Sequence, residues 1–144
     1  MGTRSLTLLC EEGTPAKPGR EIVVMYRQMD GYPSGHGQEL ADFLGEFTIV
    51  NGMSGGQPKV IANGADCLAA QVIAKFKVQA GNVYLNPAGT RGVWEEYLYT
   101  VWPAGDIEGD KGRVYMRVEG DEGRRLWQGP AVEFTPQKCE VEAT

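Results

Sequence analysis

The sequence has one histidine, His36, and only three cysteines, Cys10, Cys67 and Cys139, which are widely spaced. A histidine-based metal site needs further ligands, while zinc sites and disulfide frameworks need paired cysteine spacings. We therefore expect three reduced thiols, no metal site and no cofactor.

Long apolar runs and an excess of basic residues are also lacking. No stretch approaches the ~20 apolar residues that a membrane span needs, and the N-terminus lacks the apolar core of a signal peptide. The chain carries 14 Lys and Arg against 19 Asp and Glu, a formal net charge of −5. Nonspecific binding to nucleic acid requires a basic face. These absences predict a cytoplasmic protein that binds neither membranes nor nucleic acid polymers.

Glycine and proline are plentiful, with 20 and 8 among 144 residues. They divide the chain into short elements and argue against a helical bundle. The length suits one domain with its own core. We predict a single α+β domain over residues 1–144, with two helices, a mainly antiparallel sheet and a flexible tail at 136–144.

Apolar periodicity locates the elements of that domain. Strands are predicted at 3–10 and 20–28, joined as a hairpin. Helices are predicted from Ser34 or Gly35, and from the residue after Asn63 to Gly81. Further strands are predicted at 83–85, 94–102, 113–119, 126–127 and 131–134, with connections at 51–56, 105–112 and 120–123.

The most informative segment is 26–37, at the junction of a predicted strand and helix. Backbone amides, a cation and an imidazole gathered at a helix start suit an anionic ligand. Arg27 and His36 would contact phosphate, Gln28 and Asp30 would read polar edges, and Tyr32 would stack on a base. Two simpler interpretations remain open: His36 caps the loop locally, and Asp30 only caps the turn.

A second loop, 86–92, adds candidates from another part of the chain. Its adjacent glycine, hydroxyl and Arg91 suit a phosphate or carboxylate clamp, although solvated turn residues have the same composition. Trp94 follows as a second stacking candidate. Arg4 lies on the hairpin arm opposite Arg27, and the unknown register decides whether the two share a face. We predict one composite ligand site built from Arg4, Arg27, Gln28, Asp30, Tyr32, His36, Arg91 and Trp94.

Catalytic patterns are weak by comparison. Cys67 falls within the apolar stripe of a predicted helix, and Glu95 and Glu96 on a strand would point to opposite faces. We expect a binding protein for a small anionic, nucleotide-like ligand, and we expect it to form a homo-oligomer. One alternative is a phosphoester- or nucleotide-processing enzyme with His36 as acid/base and Asp30 or a nearby glutamate as its partner. The other is an acidic module that inhibits a basic host protein.

Several motifs resemble a family of small proteins from phages, bacteria and large DNA viruses. The match covers most of residues 2–101. It includes the sequences GTRSLT at 2–7, YRQ followed by DGYP and GHG within 26–37, CLAAQ at 67–71, GTR at 89–91 and EEY at 95–97. The resemblance implies no activity and supplies no catalytic residues. It suggests a phage setting in the host cytoplasm, where such a protein could be an anti-defence sponge for a cyclic nucleotide signal.

Overall fold

A computed structural model describes residues 2–50, 61–104 and 113–140. Their architecture confirms the predicted α+β fold, with two helices and a mostly antiparallel sheet of six strands. The predicted connections at 51–56 and 105–112, and the last four residues of the predicted tail, lie outside the described residues.

Two α-helices and eight strands follow one another along the described residues. The first half contains β1 (Ser5–Cys10), β2 (Glu21–Arg27), α1 (Gln38–Leu44), β3 (Thr48–Val50), β4 (Ile61–Asn63) and α2 (Gly64–Phe76). The second half contains β5 (Val83–Asn86), β6 (Tyr97–Pro103), β7 (Val114–Glu119) and β8 (Arg125–Pro130). No helix among the described residues is long and apolar enough to cross a membrane.

The main sheet has the strand order β5-β2-β1-β6-β7-β8. β1 and β2 form the predicted antiparallel hairpin, in a register that pairs Ser5 with Arg27 and Leu6 with Tyr26. β1 also pairs in parallel with β6, the one parallel contact in this sheet among the described strands. The intervening chain contains both helices, which gives it the length that a parallel crossover needs. β3 and β4 form a separate two-stranded parallel sheet.

All six residues of β1 are buried, because both faces of the sheet are covered. On the helix-covered face, Leu9 and Met25 pack with Leu40 of α1 and Val72 of α2. The opposite, loop-covered face has a smaller cluster that includes Leu6, Leu8, Val24, Trp102 and Tyr115. Segment 11–20 lies over this second cluster, where the Trp102 indole N–H donates to the Thr14 carbonyl at 2.6 Å.

Several predicted boundaries are wrong. The first helix begins with a π-helical turn, Pro33–Gly37, before α1, and α2 ends at Phe76 instead of Gly81. The strand predicted from residue 94 begins at Tyr97, because Trp94 has a left-handed φ of 69° that interrupts an extended chain.

The C-terminal predictions also need correction. Ala131–Glu133, predicted within a strand, is a turn of 3-10 helix. The predicted tail includes a second such turn, Pro136–Cys139, and Cys139 is buried in the main core. Packing against the sheet therefore orders this segment up to residue 140.

Candidate functional site

His36 is fully buried on the helix-covered face of the sheet, where it contacts side chains of β1 and β2. Its Nδ1 lies 3.0 Å from Arg27 Nη1, and its Nε2 lies 2.8 Å from Thr7 Oγ1. A guanidinium can only donate, so Nδ1 accepts from Arg27 and the proton sits on Nε2, which donates to Thr7. Burial, reinforced by the charge of Arg27, lowers the pKa of His36 to about 3. The ring is therefore neutral at ordinary pH, with both nitrogens engaged.

Arg27 links this histidine to the protein surface. Its Nη1 also donates to Glu39 Oε1 at 2.7 Å, and its Nε donates to the Met29 carbonyl at 2.7 Å. The rings of Phe76 and Tyr99 meet His36 edge-on, with centroids 4.9 and 5.1 Å away. These contacts leave no open position on the imidazole, so the geometry fits the local, loop-stabilising interpretation of His36.

The same network holds the loop that precedes α1. The His36 backbone N–H donates to the Asp30 carbonyl at 2.8 Å, while Gly31 N–H donates to the Thr3 carbonyl at 2.9 Å. A side chain at Gly31 would place its Cβ 2.7 Å from that of Ser5, so glycine permits this approach. The segment 26–37 is thus a fixed part of the fold.

The predicted composite site is not formed, because its members lie on different faces. Arg4 Nε donates to the Tyr26 hydroxyl at 3.0 Å. Tyr26 and Arg27 are successive residues of β2, and successive side chains of a strand point to opposite faces. Arg4 is therefore on the loop-covered face, whereas Arg27 and His36 are on the helix-covered face.

Arg91 also lies on the loop-covered face, where it forms an ion pair with Glu21. Arg91 Nη2 is 2.6 Å from Glu21 Oε2, and Arg91 Nη1 is 3.3 Å from Oε1. The bond from Arg91 lowers the pKa of Glu21, and the same bond raises the pKa of Arg91. Glu21 Oε1 also accepts from Gly89 N–H at 2.8 Å. Arg91 thus fixes its own loop and is already paired with a carboxylate.

The other predicted site residues are exposed. Gln28 and Asp30 lie on the surface, and the Tyr32 hydroxyl donates to Asp30 Oδ1 at 3.3 Å. Tyr32 lines a cleft of about 480 Å³ together with Tyr97. Trp94 is 83% exposed and lies in the loop before β6. Tyr32, Arg91 and Arg27 line three different clefts.

A second cleft, of about 550 Å³, opens on the loop-covered face beside β1, β6 and β7. We call it the acidic cleft. Two arginines, Arg91 and Arg117, contribute to its lining. Six carboxylate side chains line it: Glu21, Glu95, Glu96, Glu119, Asp121 and Glu122.

The prediction that Glu95 and Glu96 occupy a strand with opposite orientations is wrong. Both lie in the loop before β6 and line the acidic cleft. Trp94, the residue before them, has a left-handed φ that ends the extended conformation, and amino-acid composition does not predict this φ. The sequence shows that Glu119, Asp121 and Glu122 are close together in the chain. It does not show that the hairpin connection containing them lies beside Glu96, because that depends on how distant strands pair.

The acidic cleft has one thiol in its lining, that of Cys10. Burial, with a contribution from the charge of Glu21, raises the pKa of the Cys10 thiol in its lining to about 12. This thiol stays protonated and is a poor nucleophile. Among residues 2–50, 61–104 and 113–140, no group of three or more His, Cys, Asp or Glu side chains is placed to hold a metal ion.

Comparisons with family models, with curated proteins and with solved structures find no match to this chain.

Proposed function

We propose that this chain is a non-catalytic binding protein whose acidic cleft receives a positively charged segment of a partner protein. The observation that carries the proposal is the composition of the cleft, with six carboxylates and two guanidinium groups in its lining. One of those guanidinium groups, on Arg91, is already paired with Glu21. Among the functions that the sequence suggests, this proposal is nearest to the acidic module that binds a basic host protein.

Four of the carboxylates are available to a partner. Within the described part of the chain, Glu21 is paired with Arg91 and Glu95 accepts two backbone hydrogen bonds. The other four, Glu96, Glu119, Asp121 and Glu122, have no ion-pair partner within 4.0 Å among the described residues. The cleft has six carboxylates against two guanidinium groups, and such an excess of one sign of charge in a cleft attracts the opposite charge. Lysine or arginine side chains of a partner would compensate these carboxylates, whereas a phosphate would be repelled by them.

Binding of a fluorescently labelled hexalysine peptide, followed by anisotropy, tests the proposal. The cleft variant combines Glu96→Gln, Glu119→Gln and Asp121→Asn. A matched variant with the same change in net charge combines Glu12→Gln, Asp42→Asn and Glu46→Gln, all exposed carboxylates outside the acidic cleft.

We expect the cleft variant to bind about tenfold more weakly than the unmodified protein, since each surface charge pair contributes a few tenths of a kcal/mol to 1 kcal/mol. The matched variant should lose much less affinity. Equal losses in both variants would show that only net charge matters and would refute the cleft as the site. Failure of the unmodified protein to bind hexalysine would refute it as well.

A second candidate is the small anionic, nucleotide-like ligand of a phage anti-defence sponge. It is favoured by Arg4, whose side chain is bonded only through Nε, to Tyr26, within the described residues. Tyr84 lies beside Tyr26 with ring centroids 6.1 Å apart, and Lys77 Nζ lies 5.2 Å from the Tyr84 ring. Cations beside exposed aromatic rings suit a phosphate attached to a base.

Thermal shift with a panel of cyclic di- and trinucleotides tests this second candidate. A ligand at a hundred times its Kd should stabilise the protein by ~2.7 kcal/mol, and Arg4→Ala should reduce the shift. No shift across the panel would reject the sponge. The enzyme alternative gains no support from the geometry, because His36 is neutral, buried and bonded at both nitrogens.

A further inference from the structure

Trp94 is the most exposed of the large hydrophobic side chains that the structure describes, at 83%. It is also held at a φ of 69°, in the left-handed region that bulky residues rarely occupy. Backbone strain and an exposed indole both cost stability, and residues of this kind often have a function. Among the described residues, the Trp94 indole makes no hydrogen bond and no ring contact that would account for a tryptophan here.

The loop around Trp94 is fixed on both sides. Before it, Glu21 accepts hydrogen bonds from Gly89 N–H and from Arg91. After it, Glu95 accepts from Gly92 N–H at 3.1 Å and from Val93 N–H at 2.8 Å.

Val93 anchors the same loop by packing against the smaller core cluster. The indole of Trp94 is therefore presented by an ordered loop, directly before two carboxylate residues, Glu95 and Glu96, that line the acidic cleft. A loop whose backbone is already ordered loses little conformational entropy when a partner binds.

We propose that Trp94 is a recognition residue at the rim of the acidic cleft and that it stacks on an arginine of the partner's basic segment. The inference rests on the proposed function and specifies the partner's chemistry. Arginine is favoured over lysine because its planar guanidinium can stack on an indole while donating to a carboxylate. The same face of the sheet already contains such a pair, with Arg117 Cζ 5.6 Å from the Trp102 ring.

A membrane surface is the main competing use for an exposed tryptophan. The carboxylates of Glu95 and Glu96 follow Trp94 immediately, and they would be repelled by anionic lipid head groups. Charge complementarity therefore selects a basic protein segment as the occupant.

Labelled hexaarginine and hexalysine peptides, compared by anisotropy, test this inference. The unmodified protein should bind hexaarginine about fivefold more tightly than hexalysine, as expected for a cation–π contact at an exposed site. Trp94→Ala should abolish that preference by weakening hexaarginine binding more than hexalysine binding, while Trp94→Phe should keep part of it. Val132→Ala removes another exposed apolar side chain, outside the acidic cleft, and should keep the full preference.

The outcomes separate the two proposals. If Trp94→Ala keeps the arginine preference, or if the unmodified protein has none, the role of Trp94 is refuted while the acidic cleft stands. If hexalysine does not bind, or binds regardless of the cleft carboxylates, the proposed function is refuted. Hexaarginine should also quench tryptophan fluorescence in the unmodified protein and not in Trp94→Phe. Equal quenching in the two would contradict stacking on Trp94.

Discussion

At the scale of single residues, His36 is neutral because its Nδ1, the atom that would take a second proton, already accepts a hydrogen bond from Arg27. Arg27 occupies the Nδ1 side as a donor, and protonation there would set two cationic donors against each other. The ring also lies among Phe76 and Tyr99, away from water. A buried, singly protonated imidazole is a structural hydrogen-bonding group, which is why its position at a loop–helix junction does not make it an acid or a base.

Stability should therefore depend on pH through His36. Its pKa is about 3 in the folded protein and near 6.5 when unfolded, so the unfolded chain takes up the proton first as the pH falls. The stabilisation is complete above about pH 6.5 and is lost progressively below it. We expect a loss of about 1–2 kcal/mol between pH 7 and pH 5 in urea unfolding.

His36 is the only histidine, and carboxylates of the unfolded chain titrate mainly below pH 5. A loss of stability between pH 7 and pH 5 therefore reports on His36. His36→Gln should be less stable at pH 7 and should show a flatter dependence between pH 7 and pH 5. An unmodified protein with constant stability over that range would contradict the assigned protonation state.

Thr7 and Ser5 provide a matched pair of buried hydroxyls on the same face of β1. Thr7 Oγ1 accepts from His36 Nε2, while Ser5 Oγ has no partner in the described structure. Thr7→Val should cost about 1–3 kcal/mol, because it leaves a buried N–H unsatisfied. Ser5→Ala removes no described hydrogen bond and should be neutral or stabilising. Urea unfolding of the two variants measures the difference, and equal effects would argue against the Thr7–His36 bond.

At the scale of elements, Glu21 is the first residue of β2 and connects this strand to the loop before β6. Its carboxylate accepts from Gly89 N–H and from Arg91, which are 68 and 70 positions away in the chain. Glu21→Ala should increase hydrogen exchange at 87–95, as measured by mass spectrometry, with little change in β1. Glu12→Ala removes an exposed carboxylate nearby in sequence and serves as the control. Unchanged exchange in Glu21→Ala would show that the loop is held by other contacts.

The elements that sequence predicts well are those whose signals are local. The hairpin of β1 and β2 and the start of α2 at Gly64 are confirmed, because apolar periodicity and turn composition act over a few positions. The strand order and the parallel pairing of β1 with β6 depend on distant contacts. Trp94 was placed in a strand because aromatic residues favour strands, and its left-handed φ has no signal in composition.

The candidate site shows the same division between local and distant information. The sequence identified Arg91 in a predicted loop and Trp94 at the start of a predicted strand. In the structure both lie in one loop, which borders the acidic cleft. It could not show that Arg91 pairs with Glu21 or that Arg4 and Arg27 face opposite ways, since both depend on register and on the position of distant strands. The expected anionic ligand followed from arginines, an imidazole and backbone amides in two loops. Sequence alone does not show that Glu39 and Glu21 pair with Arg27 and Arg91.

At the scale of the whole molecule, the two faces of the sheet have different roles. The helix-covered face buries most of the core, together with the His36 network. The loop-covered face has a smaller core and the acidic cleft. The net charge of −5 indicates what sign of partner the protein would attract, but only the fold gathers six carboxylates around one opening.

This arrangement predicts a strong dependence of binding on salt. The Debye length falls from ~30 Å at 0.01 M to ~10 Å at 0.1 M, so added salt screens attraction between the acidic cleft and a basic peptide. Hexalysine affinity should fall steeply as NaCl rises, measured by anisotropy at constant pH. Hexaarginine affinity should fall less, because stacking on Trp94 is a short-range contact that salt screens weakly. Equal salt dependence for the two peptides would mean that long-range charge alone determines binding at this face.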